Sequence, residues 1–281
     1  MLLIQNQKNT YDINELKWNE WLAGVIDGDG YLTIQKNKVA VLEITMSLKD
    51  ENLLNQIKQK LGGNIKRRNQ SFSIRYRLSH KDGMVELINR INGNIRNTIR
   101  VKQFKKICSY FNIIYIEAKP LTLNNGYISG FFDADGTICI RVNKTSKENS
   151  IKSGTFGKIE RLKTARANHQ IEISIANKYL ENIIIFKQAF GFGKIRKIGK
   201  DIRYQTHIYT IGLNHIFQFI EYTTKYPLRS SKKRRVFMLK NYFKLKILKS
   251  YLAEEKTLNY KAWVDFCYRW YDYDNIKLTK K

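Results

Sequence analysis

Only two prolines (Pro120 and Pro227), three cysteines and four histidines occur in the 281 residues. The cysteines, Cys108, Cys139 and Cys267, are odd in number and far apart, which argues against a disulfide framework and points to a reducing compartment. The histidines do not pair with them at zinc-ligand spacings. No apolar run approaches the roughly 20 residues that a membrane span requires. Neither a lipidation signal nor a basic amphipathic helix speaks for a membrane surface, so no membrane partner is expected. The first ten residues have too short an apolar stretch for a signal peptide and too little arginine for a transit peptide, so no targeting signal is expected. Acidic residues are scarce as well, with 24 Asp and Glu against 51 Lys and Arg, for a net charge of +27.

No single tail carries that charge. Such a field repels itself unless a polyanion neutralises it, and nucleic acid is the first candidate because each neutralised phosphate releases counterions. A hydrophobic fraction of 43% and an aromatic fraction of 12% suffice for folded cores. The length suits two domains of about 100–150 residues each. The abundance of Lys, Asn, Ile and Tyr suits translation from an A+T-rich genome, such as an organelle's, the mitochondrion's first.

The chain repeats itself. Residues 22–30 read LAGVIDGDG and residues 128–136 read ISGFFDADG, sharing Gly, Asp, Asp and Gly at matched places. Further on, IKQKLG (57–62) matches FKQAFG (186–191), and LEITMS (42–47) matches IEISIA (171–176). The nonapeptides lie 106 residues apart and the later matches 129 apart, which puts an insertion in the second copy. It falls around 144–168, rich in Lys, Ser, Gly and Asn, and reads as a long hairpin loop. Residues 117–126, with Pro120 and an Asn-Asn-Gly, read as the linker, giving repeats over 1–116 and 127–281.

Within each copy the period changes. An apolar stripe of Trp18, Trp21, Leu22 and Val25 predicts a helix. After Gly30 the period becomes two, as Leu32 and Ile34, then Leu42, Ile44 and Met46, alternate with polar residues to give a hairpin with one wet face. Asp50 is placed to cap a helix running to Leu61, two short strands follow over 64–68 and 71–79, and helices are expected over 83–91 and 101–114. The fold class is α+β: two pseudo-symmetric αββαββα repeats with antiparallel sheets.

Small residues in the nonapeptides (Ala23, Gly24, Gly28; Ser129, Gly130, Ala134) allow two helices to touch backbone to backbone. Glycine within a helix costs about 1 kcal/mol relative to alanine, so two per motif call for a packing reason. If the helices pair about a pseudo-two-fold axis, Asp29 and Asp135 meet at their carboxyl ends. Two carboxylates in a basic chain suit a hard cation such as Mg²⁺, and Mg²⁺ between carboxylates and phosphate oxygens suits in-line phosphodiester hydrolysis. One such Asp-Gly turn is ordinary helix punctuation; two copies, each followed by alternating strands, are not.

With these motifs the chain resembles the LAGLIDADG homing endonucleases in their single-chain form, over almost its whole length. It departs at Ile128 and Ser129, packing positions where the family usually has Leu and Ala. The resemblance implies that the motif helices pack at the repeat interface and that Asp29 and Asp135 are metal-binding catalytic acids, joined by the carbonyls of Gly28 and Ala134. Asp27 and Asp133 are read as structural. The resemblance also implies basic and polar groups around the metals. Lys102 fits in the first copy and Lys232, one residue off the repeat offset, in the second, although both equally suit simple phosphate contact. Asn177 holds a strand-end place suited to binding water, where the first copy has Leu48.

DNA reading falls to the wet strand faces, which fit the major groove. Period two selects Thr33, Gln35, Asn37, Glu43, Thr45, Ser47, Lys66, Arg68, Ser73, Arg75 and Arg77 in the first copy. In the second it selects Cys139, Arg141, Asn143, Gln170, Glu172, Ser174, Lys194 and Arg196, with Arg203 and Gln205 on a strand of ambiguous parity. Residues 225–235 (KYPLRSSKKRR) read as a phosphate-binding run. The implied function is a monomeric, Mg²⁺-dependent, intron-encoded endonuclease that cuts double-stranded DNA at a long asymmetric site. The alternative on the same fold is a maturase that binds intron RNA; loss of either acid would favour it, and both acids are present.

Overall fold

The computed structural model of the chain describes residues 12–69, 71–199, 201 and 205–272. Helix α1 (Ile13–Asp29) starts where the Asp12 carboxylate accepts from the Asn14 amide at 2.7 Å. From Trp18 to Asp27 it is buried except at Glu20, so it is a central helix rather than one with a single apolar stripe. At Gly30 the chain turns straight into strand β1 (Gly30–Ile34), followed by β2 (Ala40–Ser47), α2 (Glu51–Leu61), β3 (Asn64–Arg67), β4 (Ser73–Leu78), α3 (Lys81–Ile91) and α4 (Thr98–Tyr110). The four strands form an antiparallel sheet in the order β1-β2-β4-β3. Alternation buries Leu42, Ile44 and Met46 of β2, and Ile74, Tyr76 and Leu78 of β4, against the helices.

The second repeat follows the same plan. It runs through α5 (Tyr127–Asp135), β5 (Gly136–Val142), β6 (His169–Asn177), α8 (Glu181–Phe190), β7 (Lys194–Ile198), β8 (Thr206–Ile211), α9 (Ile216–Lys225) and α10 (Lys233–Ile247). Its sheet has the order β5-β6-β8-β7, also antiparallel. Tyr76 and Tyr209 mark the correspondence: each is buried and donates its hydroxyl to a backbone carbonyl, of Gly62 at 2.9 Å and of Phe192 at 3.0 Å.

Helices α1 and α5 join the repeats. A β-carbon on Gly24 would lie 2.1 Å from the Tyr127 carbonyl oxygen, and one on Gly130 would lie 1.8 Å from that of Trp21. Both glycines are therefore set by backbone-to-backbone contact, as the motif spacing predicts.

Two local expectations are corrected. The insertion does connect the paired strands β5 and β6, as a hairpin connection should, but it is not an irregular loop: it folds into α6 (Lys147–Ser150) and α7 (Gly154–Lys163), and α7 buries Ile159 and Leu162 as it packs on α11 (Leu258–Asp272). The polar composition of the segment hid these few apolar residues, whose partners lie about 100 residues downstream. Asp50 precedes α2 without capping it, because its carboxylate is taken by Ser231 of the other repeat.

Candidate active site

The carboxyl ends of α1 and α5 converge, and a β-carbon on Gly28 would lie 2.3 Å from that of Ala134 and 3.7 Å from the Asp135 carboxylate. Asp29 and Asp135 are half-buried at this junction. Burial, and after it the charge of Asp135, push the Asp29 carboxyl up to about 7. Burial raises Asp135 as well, against the pull of Lys232 and Arg100.

Asp27 and Asp133, the sixth residues of the motifs, form two matching latches. The Asp27 carboxylate accepts from the backbone amides of Arg96 (2.6 Å) and Asn97 (2.9 Å) and from the hydroxyl of Tyr127 on the opposite helix (2.7 Å). The Asp133 carboxylate accepts from the amides of Arg229 (2.8 Å) and Ser230 (3.0 Å) and from the indole of Trp21 on the opposite helix (2.8 Å). Arg96 lies 4.7 Å over the Tyr127 ring and Arg229 lies 4.8 Å over that of Trp21. Each latch thus fixes the start of a basic helix, α4 or α10, beside the acid pair, which bears out the structural reading of both residues.

Lys232 is held in the second latch. Its ammonium donates to the carbonyls of Phe132 (3.0 Å), Asp133 (2.8 Å) and Ala134 (2.8 Å), the negative end of α5. Burial lowers its pKa, and Asp133, Asp29, Asp50 and Asp135 oppose that shift. The structure does not bring Lys102 to the acids: it is exposed on α4. Arg100, two residues earlier, faces them; burial lowers its pKa, and Asp27, Asp135 and Asp29 sustain its charge. Two residues are more than half a helical turn, so the sequence offset was too coarse to choose between them. Matching Arg96 to Arg229 does not find it either, because Lys232 then falls opposite Ile99.

Asn177 ends β6 and accepts from the Tyr179 amide and the Asn182 side chain, both at 3.1 Å. Asn182 in turn accepts from the Thr98 amide at the start of α4 at 3.0 Å. Asp50, missed because it read as a helix cap, accepts from the amide (2.7 Å) and hydroxyl (2.6 Å) of Ser231. Within the run 225–235, Arg229, Ser231 and Lys232 are thus committed to contacts inside the protein. Only Lys225, Lys233 and Arg234 among its basic residues are exposed.

The donor set suits a hard divalent cation. Two carboxylates that burial and mutual repulsion keep from ionising freely, at the negative ends of two helices, gain by neutralisation. Among the described residues no group of three His, Cys, Asp or Glu side chains converges, so the protein's further oxygen donors here are backbone carbonyls. Ala134 offers a carbonyl that already holds a cationic group, and Gly28 lies opposite it.

On the sheets, register places Thr33, Glu43, Thr45, Ser47, Lys66, Ser73, Arg75 and Arg77 on the face away from the core, with Gln35 and exposed Asn37 and Arg68 at its margin. Glu43 joins Arg77 (3.0 Å) and Arg75 (3.5 Å), and Arg77 also donates to Gln35 at 2.9 Å. The second sheet presents Cys139, Arg141, Gln170, Glu172, Ser174, Lys194 and Arg196 in the same way, with Asn143 beyond the end of β5. There Glu172 joins Arg141 (2.5 Å) and Arg196 (3.3 Å).

Gln205 is a correction. It precedes β8 in phase with Tyr209 and Ile211, whose side chains are buried, so Thr206, Ile208 and Thr210 face outward instead. Arg203 lies outside the described residues. Tyr31 and Thr137 also belong to the outer faces and were missed; carrying the period back two residues from Thr33 and Cys139 finds them.

A family model described as LAGLIDADG endonuclease matches residues 22–111 and 128–243. The intron-encoded RNA maturase bI4 of Saccharomyces cerevisiae is 38% identical over 96% of this chain and 39% of its own length. The probable intron-encoded endonuclease aI2 of Debaryomyces hansenii is 36% identical over 94% of this chain and 39% of its own. The chain therefore spans about two fifths of these two relatives. The intron-encoded DNA endonuclease ai2a of Dictyostelium discoideum is 30% identical over 98% of this chain and 84% of its own. The meganuclease I-SmaMI bound to uncleaveable DNA superposes with a TM-score of 0.63 at 17% identity, covering 89% of this chain and 98% of that one, and shares the fold. I-SmaMI has also been solved on uncleaved DNA in the presence of calcium ions. With both motifs inside the matched segments and the two-repeat architecture in common, the chain belongs to the LAGLIDADG endonuclease family.

Proposed function

We propose that this protein is a site-specific DNA endonuclease, encoded within an intron of an organellar and specifically mitochondrial genome, that hydrolyses both strands of a long asymmetric duplex as a monomer. The observation that carries this reading is the convergence of Asp29 and Asp135 at the junction of α1 and α5, with Lys232 and Arg100 beside them and a basic sheet on each side. One chain supplies both acids and both sheets, so no second copy is needed.

In this reading Asp29, Asp135 and the carbonyls of Gly28 and Ala134 hold Mg²⁺, which when bound neutralises the scissile phosphates and makes water a stronger nucleophile. Lys232 and Arg100 place positive charge where the phosphate oxygens gain negative charge in the transition state. Asn177, at the strand end, offers an amide to orient solvent. On the sheets, Arg75, Arg77, Arg141 and Arg196 present guanidinium groups suited to guanine edges, Glu43 and Glu172 hold them in place, and Lys66 and Lys194 flank them. Lys102 and the exposed Lys233 fit sequence-independent phosphate contact.

The test is cleavage of a duplex that joins the two exon sequences flanking the reading frame. With Mg²⁺ the protein should cut both strands at the junction, and with excess chelator neither. The maturase relative at 38% identity favours a second activity, assistance to splicing of the host intron RNA. Faster splicing of that RNA with added protein, together with failure to cut the duplex, would replace the endonuclease reading.

A further inference from the structure

The acid pair is nearly symmetric, but the contacts that hold its two basic helices are not. Ser231 and Thr98 occupy matching places, each two residues after the arginine whose amide a motif aspartate holds. Ser231 immediately precedes Lys232, and Thr98 lies two residues before Arg100. Each is held from the other repeat: Ser231 by the carboxylate of Asp50, and Thr98 by the amide oxygen of Asn182. Both holding side chains are buried, at 8% and 2% exposure. They do not come from matching positions, because the repeat offset pairs Asp50 with Tyr179 and Asn182 with Leu53. One clamp is charged and anchored at the start of α2; the other is a neutral amide on α8, tied onward to Asn177.

We propose that Asp50 and Asn182 are positioning residues for Lys232 and Arg100 respectively, and that this charged and neutral pair of clamps makes the two DNA strands unequal substrates. The inference rests on the endonuclease reading. The two scissile phosphates of a duplex are related by its own two-fold, so each strand meets one basic helix start. Asp50 also acts electrostatically on Lys232 and on Asp29, which places its charge at one side of the junction.

The experiment follows each strand of the exon-junction duplex separately by end label, with Mg²⁺ and protein in excess. The wild type should cut the two strands at unequal rates. Asp50→Ala should slow one strand by on the order of 10²-fold, the scale for a misplacement of about 1 Å, and leave the other within a few-fold. Asn182→Ala should reverse the pattern. Asp50→Asn keeps an acceptor for Ser231 and removes only the charge, so it should restore most of the slowed rate while changing the strand ratio. If Asp50→Ala does not fold, Ser231→Ala, which deletes only the hydroxyl contact, should slow the same strand. Slowing of both strands by one factor in Asp50→Ala and Asn182→Ala, or in Ser231→Ala, overturns the inference alone, since a purely structural role has no strand preference. A wild type that cuts neither strand overturns the endonuclease reading, and this inference with it.

Discussion

At the residue scale, the proposed chemistry rests on two carboxylates that folding makes reluctant to ionise. Replacing either by its neutral isostere, Asp29→Asn or Asp135→Asn, should lower double-strand cleavage by about 10³-fold or more, the several kcal/mol that a bound cation supplies. Duplex affinity should hardly change, because in the proposed reading the sheets carry it; strand-resolved cleavage beside a binding titration checks both. The raised pKa has a consequence for stability. Between an unfolded value of 3.8 and a folded value of about 7, the folded state binds the Asp29 proton more tightly. Metal-free stability from this group is therefore lost as pH rises through that window, by at most about 4 kcal/mol. Asp29→Asn should melt with the wild type near pH 4 and above it at pH 8 without metal. Thermal denaturation at the two pH values reads the difference, and a wild type that melts higher at pH 8 would refute the assignment.

The elements show why the acids meet. Helices α1 and α5 approach until only glycine fits at Gly24 and Gly130, and the latches at Asp27 and Asp133 then bind each helix to the loop before a basic helix. A methyl group at Gly130 would meet the Trp21 carbonyl, which is backbone and cannot swing aside. Gly130→Ala should thus cost about 3 kcal/mol or more, the upper part of the range for overpacking, and separate the acids. Chemical denaturation measures the first effect and cleavage the second; an unchanged midpoint would remove the close-packing argument. The insertion belongs to this scale too. Its helix α7 covers α11, and the indole of Trp263 donates to the Lys163 carbonyl at 3.4 Å.

Over the whole molecule, a charge of +27 is tolerated because the basic residues are spread over two sheets and several helices, with carboxylates such as Glu43 and Glu172 between the closest arginines. Neutralisation by DNA should make affinity fall steeply with salt, with a log-log slope of roughly −0.9 for each phosphate contacted. Titrations at several salt concentrations give the slope directly, and a nearly flat dependence would exclude a nucleic-acid partner. Among the described residues no helix is long and apolar enough to cross a membrane.

The duplication, the two motifs, the strand periodicity and most outward-facing residues could be read from the chain alone, because each depends on local spacing: a period of two, a repeated nonapeptide, glycine where only glycine packs. What depends on contacts between the copies could not be read. Arg100 rather than Lys102 faces the acids because helical phase after the Asp27 latch decides it. Asp50 has the pattern of a helix cap, and only the docking of the other repeat gives its carboxylate to Ser231. The insertion became helical because a few apolar side chains found α11 about 100 residues away. The parity of β8 was settled by the burial of Tyr209. Local pattern specifies an element and its wet face, whereas which polar group meets which across a pseudo-two-fold interface is decided when the two halves pack.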